Sequence, residues 1–330
     1  MGLDRGDRNS EAARSLSRRE FVRLLSAATA GAGFVGTALS GVALTTSQRA
    51  EAAEATADKL GKLPKRQLGK RMGKMMITPV ILCQDWAPEL YGPAIAQGVN
   101  FFHKAGYWNE QPPEVRKLPR ESFYCDITVD STPDHPDDEE MAYRQVTESL
   151  RKNGLKYYDI YRAHFGWKNL DALKTQRGTR RAFERLKKEG KVKYYGVSQH
   201  DYIPYPEIIA AHIEEGLIDS MQVFWSYETP KETQDIFDKA HKAGIGMTAM
   251  KVYAQGGRKM RGDQAMQAKM KAPGMIGRAG LRYALSVKGS DGKPIFDAAV
   301  TALRNFEQYE DNMGSFASKV AMADGFSHIA

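Results

Sequence analysis

The sequence predicts an α/β fold, a (β/α)8 barrel preceded by an N-terminal signal segment and a short hairpin. Three observations lead there. Eight short apolar runs recur between residues 78 and 303, mostly separated by helical patterns, and regular strand–helix alternation implies a parallel sheet. Eight strands can close into a barrel, which takes ~250 residues, about what remains beyond the N-terminal segment. The competing open, doubly wound sheet needs a glycine-rich phosphate loop after its first strand, and Cys83-Gln84-Asp85-Trp86-Ala87-Pro88 has no glycine.

Residues 1–52 read as an export signal. Ser17-Arg18-Arg19-Glu20-Phe21-Val22-Arg23 precedes an uncharged run from Leu24 to Gln48, which ends in the small-residue site Ala50-Glu51-Ala52. A basic region, an apolar region and a cleavage site in that order form a signal peptide, and the paired arginines mark the twin-arginine type. The segment resembles substrates of the twin-arginine translocase, which carries proteins folded, often with a cofactor already bound. The expected location is therefore periplasmic or otherwise extracytoplasmic. Gly31, Gly33, Gly36 and Gly41 keep the run only weakly apolar, so removal is expected rather than stable membrane insertion, although its length would allow an anchor.

Residues 53–64 form a polar linker, and 65–330 carry the barrel. A basic cluster of Lys65, Arg66, Lys70, Arg71 and Lys74 falls in the opening hairpin and is expected to be solvated. The strands follow as Thr78–Cys83, Val99–His103, Ser122–Val129, Tyr157–His164, Val192–Val197, Ser220–Phe224, Gly246–Met250 and Ala298–Leu303. Helical patterns cover Glu89–Gln97, Glu139–Lys152, Leu170–Lys188, Glu207–Glu215, Lys231–Lys242 and Gly277–Val287. In Leu170–Lys188 the apolar Leu170, Leu173, Phe183 and Leu186 share one side and cations the other, as in a surface helix. Glu189-Gly190 then stops it.

The composition narrows the function classes. The net charge of +8 is mild and scattered, which gives no nucleic-acid footprint. Only Cys83 and Cys125 occur, so a four-cysteine iron–sulfur cluster is excluded. Both lie inside strands and read as small buried hydrophobes.

Function in such a barrel sits on loops at the strand C-termini. Those ends carry Asp85-Trp86, then His103 to Trp108, Asp126 and Thr128, His164 and Trp167, Ser198-Gln199-His200, Gln222 and Trp225, Lys251 with Tyr253, and Arg304-Asn305. All four tryptophans fall there, which suggests an aromatic-walled cleft for a flat or apolar ligand. His103, His164 and His200 with Asp126 offer zinc-type ligands, but no short paired spacing accompanies them and no metal is assigned. Lys251 suits a Schiff base or, more simply, a cofactor phosphate. Tyr253 to Pro273 reads as a flap or surface insertion, and Pro133 to Glu140 as an acidic loop ending in a helix start.

Several of these segments resemble the aldo/keto reductase family over about Arg66 to Asn312. They are Arg66-Gln67-Leu68-Gly69-Lys70, Gly98-Val99-Asn100-Phe101-Phe102, Ser149-Leu150-Arg151, Tyr158 through His164, and the run Phe183 through Ser198 ending Lys191-Val192-Lys193-Tyr194-Tyr195-Gly196-Val197-Ser198. The resemblance implies a (β/α)8 barrel with NADP(H) over its rim and carbonyl reduction by hydride transfer.

The family's catalytic positions transfer unevenly. Its aspartate after the paired phenylalanines is replaced by His103. Its tyrosine aligns with Tyr107 through a one-residue gap, and otherwise with Trp108. Its lysine is lost to Thr128 or Asp126, and its histidine is matched by His164. A phenol titrates near ~10 and depends on the lysine and aspartate for useful proton transfer, whereas an imidazole titrates near ~6.5 unaided. The expected catalytic group is therefore His103 or His164 as proton donor, with Tyr107 orienting substrate. For the cofactor, the resemblance points to Ser198, Gln199 and Gln222 at the nicotinamide carboxamide. Arg304, Asn305, Gln308 and Asn312 fall at the adenine-phosphate end, with Lys251 a further candidate. Expected, then, is an exported NADP(H)-dependent oxidoreductase acting on a small carbonyl or aromatic ligand. The alternatives are a catalytically inactive ligand-binding barrel and a metal-dependent enzyme using His103, His164 and His200.

Overall fold

The computed structural model describes residues 61–83, 86–103, 110–130, 138–164, 177–199, 206–226, 231–253 and 276–317, with residues 51 and 229 besides. The signal apart from Glu51, the linker up to residue 60, Tyr107, Trp108, Trp167, His200 and the segment 254–275 lie outside the described residues. Among the described residues no helix is long and apolar enough to cross a membrane.

A hairpin, β1 (Arg66–Gln67) against β2 (Met76–Ile77), opens the described chain. The eight strands that follow are β3 (Val80–Cys83), β4 (Phe101–His103), β5 (Tyr124–Asp130), β6 (Tyr158–His164), β7 (Val192–Gln199), β8 (Ser220–Phe224), β9 (Gly246–Met250) and β10 (Ala298–Thr301). They close into a parallel barrel in the order β10-β3-β4-β5-β6-β7-β8-β9. The helices are α1 (Tyr91–Ala96), α2 (Pro113–Arg116), α3 (Glu139–Asn153), α4 (Arg177–Lys188), α5 (Pro206–Glu214), α6 (Lys231–Lys242), α7 (Ile276–Ser286) and α8 (Phe306–Ala317). The predicted barrel therefore forms, with strand ends shifted by at most two residues. The expected helix at Glu89–Gln97 divides into a 3-10 turn, Pro88–Leu90, and α1, because Pro93 supplies no N–H to a longer ladder. The four-residue α2, set between prolines, was not anticipated.

The period of two along each strand sorts side chains into two apolar layers. On β5, Cys125, Ile127 and Val129 join Ala142, Val146 and Leu150 of α3 and Phe183 and Leu186 of α4 in the shell between sheet and helices. Tyr124 instead joins Ile81, Phe101, Ile160 and Ala298 in a separate cluster at the floor of the barrel. Cys125 thus points outward while Cys83 shares the parity of Ile81, and both are free thiols. At the helix boundaries, Asp138 Oδ1 accepts from Met141 N–H at 2.8 Å, capping α3, and Gly190, at φ +70°, follows the end of α4.

The hairpin is a stopper rather than a solvated arm. Leu68, Met72, Met75 and Ile77 are buried in the floor cluster. Gly69 takes φ +60°, and a Cβ there would sit 2.4 Å from Gly246 N, so only glycine lets the two backbones meet. Arg71 donates to the carbonyls of Ala243, Gly216 and Ile218 at 3.0, 2.9 and 2.8 Å. Two of these carbonyls follow the C-termini of α6 and α5, where a cation is favoured. The basic cluster is thus partly consumed in seating the stopper, which corrects the expectation that it is simply solvated.

Trp86 and Trp225 also differ from expectation. Trp86 donates Nε1–H to Thr301 O at 2.7 Å and lies 6.2 Å, centroid to centroid, from both Tyr91 and Tyr309. Trp225 packs against Phe237, Tyr283 and Phe296 in the shell. Both are buried, so these two serve the sheet–helix core and wall no cleft. Large apolar rings at strand ends found helix faces to cover them.

Candidate active site

His103 ends β4 and stands one rung beyond the Phe102–Cys125 pair. That placement sets it beside Asp126 of β5. His103 Nδ1–H donates to Asp126 Oδ1 at 2.8 Å and to Oδ2 at 3.0 Å. Arg162 of β6 donates Nε–H to the same Oδ2 at 2.9 Å, and Nη1–H to Val197 O at 3.2 Å and Ser220 Oγ at 3.5 Å. His103, Asp126 and Arg162 are all buried.

The sequence makes room for this cluster. Gly196 of β7 is the Cα partner of Arg162, and a Cβ on Gly196 would lie 2.9 Å from Ile160 Cγ2 and 3.4 Å from Arg162 Nη1. A side chain there would crowd the guanidinium. The buried guanidinium is supported at Nε and Nη1 by a carboxylate, a carbonyl and a hydroxyl, while Nη2 is buried without a hydrogen-bond partner among the described residues, a cost that the paired carboxylate offsets.

The chain of contacts also fixes a proton. A carboxylate paired with arginine accepts hydrogen bonds and donates none, so Nδ1 carries the hydrogen and Nε2 keeps a lone pair. Gln222 of β8 donates its Nε2–H to that lone pair at 3.2 Å and also faces Met250 Sδ at 3.9 Å.

The next rung carries polar groups of a different kind. Ser198 is the Cα partner of both His164 and Gln222. Ser198 Oγ and Gln222 Oε1 are buried and have no hydrogen-bond partner among the described residues. A hydroxyl that can donate beside a carbonyl that can accept matches the two ends of a primary carboxamide. The residues present therefore fit a nicotinamide at this rung. The side chain of Gln199 lies outside the described residues.

The remaining candidates are placed as follows. His164 closes β6, half-buried and level with Ser198. Lys251, directly after β9, is the non-glycine residue with positive φ, +56°, among the described residues. Arg304 is exposed just before α8. Asn305 Oδ1 accepts from Gln308 N–H at 2.9 Å, and Gln308 Oε1 accepts from Arg304 N–H at 2.8 Å, a reciprocal cap at the start of α8. Asn312 is buried, accepts from the Tyr253 hydroxyl and donates to Gln308 O at 2.7 Å. Asn305 and Asn312 therefore have structural engagements of their own. Thr128 is buried at the opposite register to Arg162. Among the described residues no group of three His, Cys, Asp or Glu side chains is arranged to hold a metal; His200 is not among them. Sequence reasoning gave Arg162 no role, although a fully buried cation inside a strand signals an inward carboxylate.

The family model of the aldo/keto reductases matches residues 94–323. Among solved structures, an aldo-keto reductase from Bacillus halodurans, in its holo form, is 18% identical with a TM-score of 0.62, covering 81% of this chain and 95% of that one. An aldo/keto reductase from Brucella melitensis is 16% identical with a TM-score of 0.55, covering 82% of this chain and 100% of that one. At these identities the likeness is one of fold. No curated protein matches the chain.

Proposed function

The chain belongs to the aldo/keto reductase family, and from that premise we propose an exported, NADP(H)-dependent oxidoreductase that reduces a small carbonyl substrate, with His103 as its proton donor. The observation that carries this reading is the junction of two features on adjoining rungs: an oriented imidazole, and a pair of buried, unsatisfied polar atoms at Ser198 and Gln222. A bound dihydronicotinamide supplies the hydride. The chain supplies the rest. Ser198 and Gln222 hold the carboxamide, Arg304 and Lys251 face phosphate, and Arg304 favours a 2′-phosphate by its fork of donors. His103 Nε2 hands a proton to the carbonyl oxygen once the substrate replaces Gln222 at that nitrogen. Tyr107 and His164 orient the substrate.

Residues 1–52 direct folded export through the twin-arginine translocase, which agrees with loading a nucleotide before crossing. Turnover of NADPH over a panel of aldehydes and ketones tests the assignment. His103→Ala is expected to lose roughly 10²–10⁴-fold in rate, and undiminished rates would remove His103 from the role.

A second reading draws on the fact that both ring nitrogens of His103 are already engaged. It is a barrel that binds a dinucleotide or other small ligand without turnover. Native mass spectrometry separates the readings when paired with the rate assay: a retained dinucleotide with no carbonyl reduction favours the second.

A further inference from the structure

We infer that Asp126, clamped by Arg162, is the positioning residue that sets the tautomer of His103 and aims its Nε2 at the reacting oxygen. The inference rests on the reading of His103 as proton donor and adds two residues that act only through it. Asp126 stands on the strand where the family resemblance expects a lysine, and Arg162 falls at no position to which that resemblance gives a role.

The geometry argues for more than a buried ion pair. Arg162 engages one carboxylate oxygen of Asp126, and the imidazole takes both, at 2.8 and 3.0 Å. The carboxylate is thereby held by both partners at once, and cannot turn away without losing one of these hydrogen bonds. With Nδ1–H committed, the opposite ring nitrogen presents its lone pair toward Gln222, and Gln222 shares a rung with Ser198. The lone pair therefore lies beside the buried polar atoms that fit a carboxamide.

The charges make the arrangement work in one direction. When Nε2 is protonated, Asp126 stabilises the imidazolium, and Arg162 offsets the carboxylate so that the proton stays on the ring. In the reductive step the Nε2–H bond breaks and its proton forms the new O–H bond, while the carbonyl π pair moves to oxygen and a hydride from the dihydronicotinamide dinucleotide reaches the carbon. The imidazole is left neutral with Nδ1–H still on Asp126, and water restores the proton.

The test uses the mature protein and two readouts. Long-range nitrogen–proton spectra of the neutral His103 ring are expected to show hydrogen on Nδ1 in the natural protein. In Asp126→Asn the ring is expected to lose that fixed form. In the rate assay, Asp126→Asn and Arg162→Gln are each expected to lower kcat roughly 10²–10⁴-fold, with KM changed less than about threefold. A natural protein with hydrogen on Nε2, or an Asp126→Asn protein that keeps kcat within about threefold, overturns the inference. If Asp126→Asn does not fold, judged by circular dichroism, the spectrum of the natural protein decides alone. A fluorescence titration showing no NADPH binding defeats the reductase reading instead, and leaves the tautomer result to be read separately.

Discussion

Arg162 reaches Asp126 across neighbouring strands inside the barrel, Nε to Oδ2 at 2.9 Å, with side-chain exposures of 0% and 1%. The Cα partner of Arg162 is Thr128, so the pair is a diagonal one, two residues apart on a shared face. Removing the cation alone takes the opposing charge away from a buried carboxylate. Arg162→Gln is expected to destabilise the fold by about 3–5 kcal/mol, read by urea unfolding. Adding Asp126→Asn to it should recover part of that loss, and a double variant no better than the single one would contradict the pairing.

Glycine substitutions separate backbone strain from crowding. Gly69 and Gly154 both take positive φ, +60° and +65°, but a Cβ at Gly154 meets nothing within 4 Å whereas one at Gly69 meets Gly246 N at 2.4 Å. Gly154→Ala should cost about 1–2 kcal/mol, the left-handed penalty alone. Gly69→Ala should cost clearly more, because the stopper must lift from the floor. Equal midpoints in denaturant would count against the close approach.

Asp297 gives the fold a pH dependence of known sign. Burial pushes its carboxyl up to about 6, against the opposing effect of backbone N–H groups of Met247 and Gly69 and the charge of Arg66. The folded state therefore holds a proton that the unfolded chain has already lost. This contribution to stability is complete below about 3.8, the unfolded value, and disappears as pH rises through about 6. It amounts to roughly 3 kcal/mol by linkage. Unfolding free energies of Asp297→Asn and the natural protein, compared at pH 4, 5, 6 and 7, should converge on a difference that changes by about that amount and then levels.

At the start of α8 two adjacent residues should separate in their effects. Asn305 caps the helix, so Asn305→Ala is expected to cost about 1 kcal/mol of stability with little change in NADPH affinity. Arg304, exposed beside it, should behave oppositely. Arg304→Ala should weaken NADPH binding by about tenfold or more while leaving NADH binding and the melting temperature nearly unchanged. Fluorescence titration with both nucleotides reads the contrast.

Export is open to a direct trial. Replacing Arg18 and Arg19 together by lysine should retain the precursor in the cytoplasm, as cell fractionation would show. Unaltered delivery would remove the twin-arginine assignment.

The architecture was legible because inward and outward faces of each strand repeat with period two and the helices between them carry one apolar stripe. Ser220–Phe224, Gly246–Met250 and Lys231–Lys242 fall within their expected bounds for that reason. The candidate site was legible only in part. His103 stood out because it follows paired phenylalanines at a strand end. Its partnership with Asp126 and Arg162 did not, since the last two are 36 residues apart and meet only through the stagger between strands, which no local pattern records. Gly196 was the available clue: a small residue opposite a buried arginine leaves the volume that the guanidinium fills. The tryptophans misled for a related reason, because a ring at a strand end can turn to either side of the sheet.

The hairpin seated against Gly246 covers the end of the barrel where the strands begin, packed on Ile81, Phe101 and Ile160. A ligand that lies against His103 therefore comes to it from the opposite end, where β4 finishes.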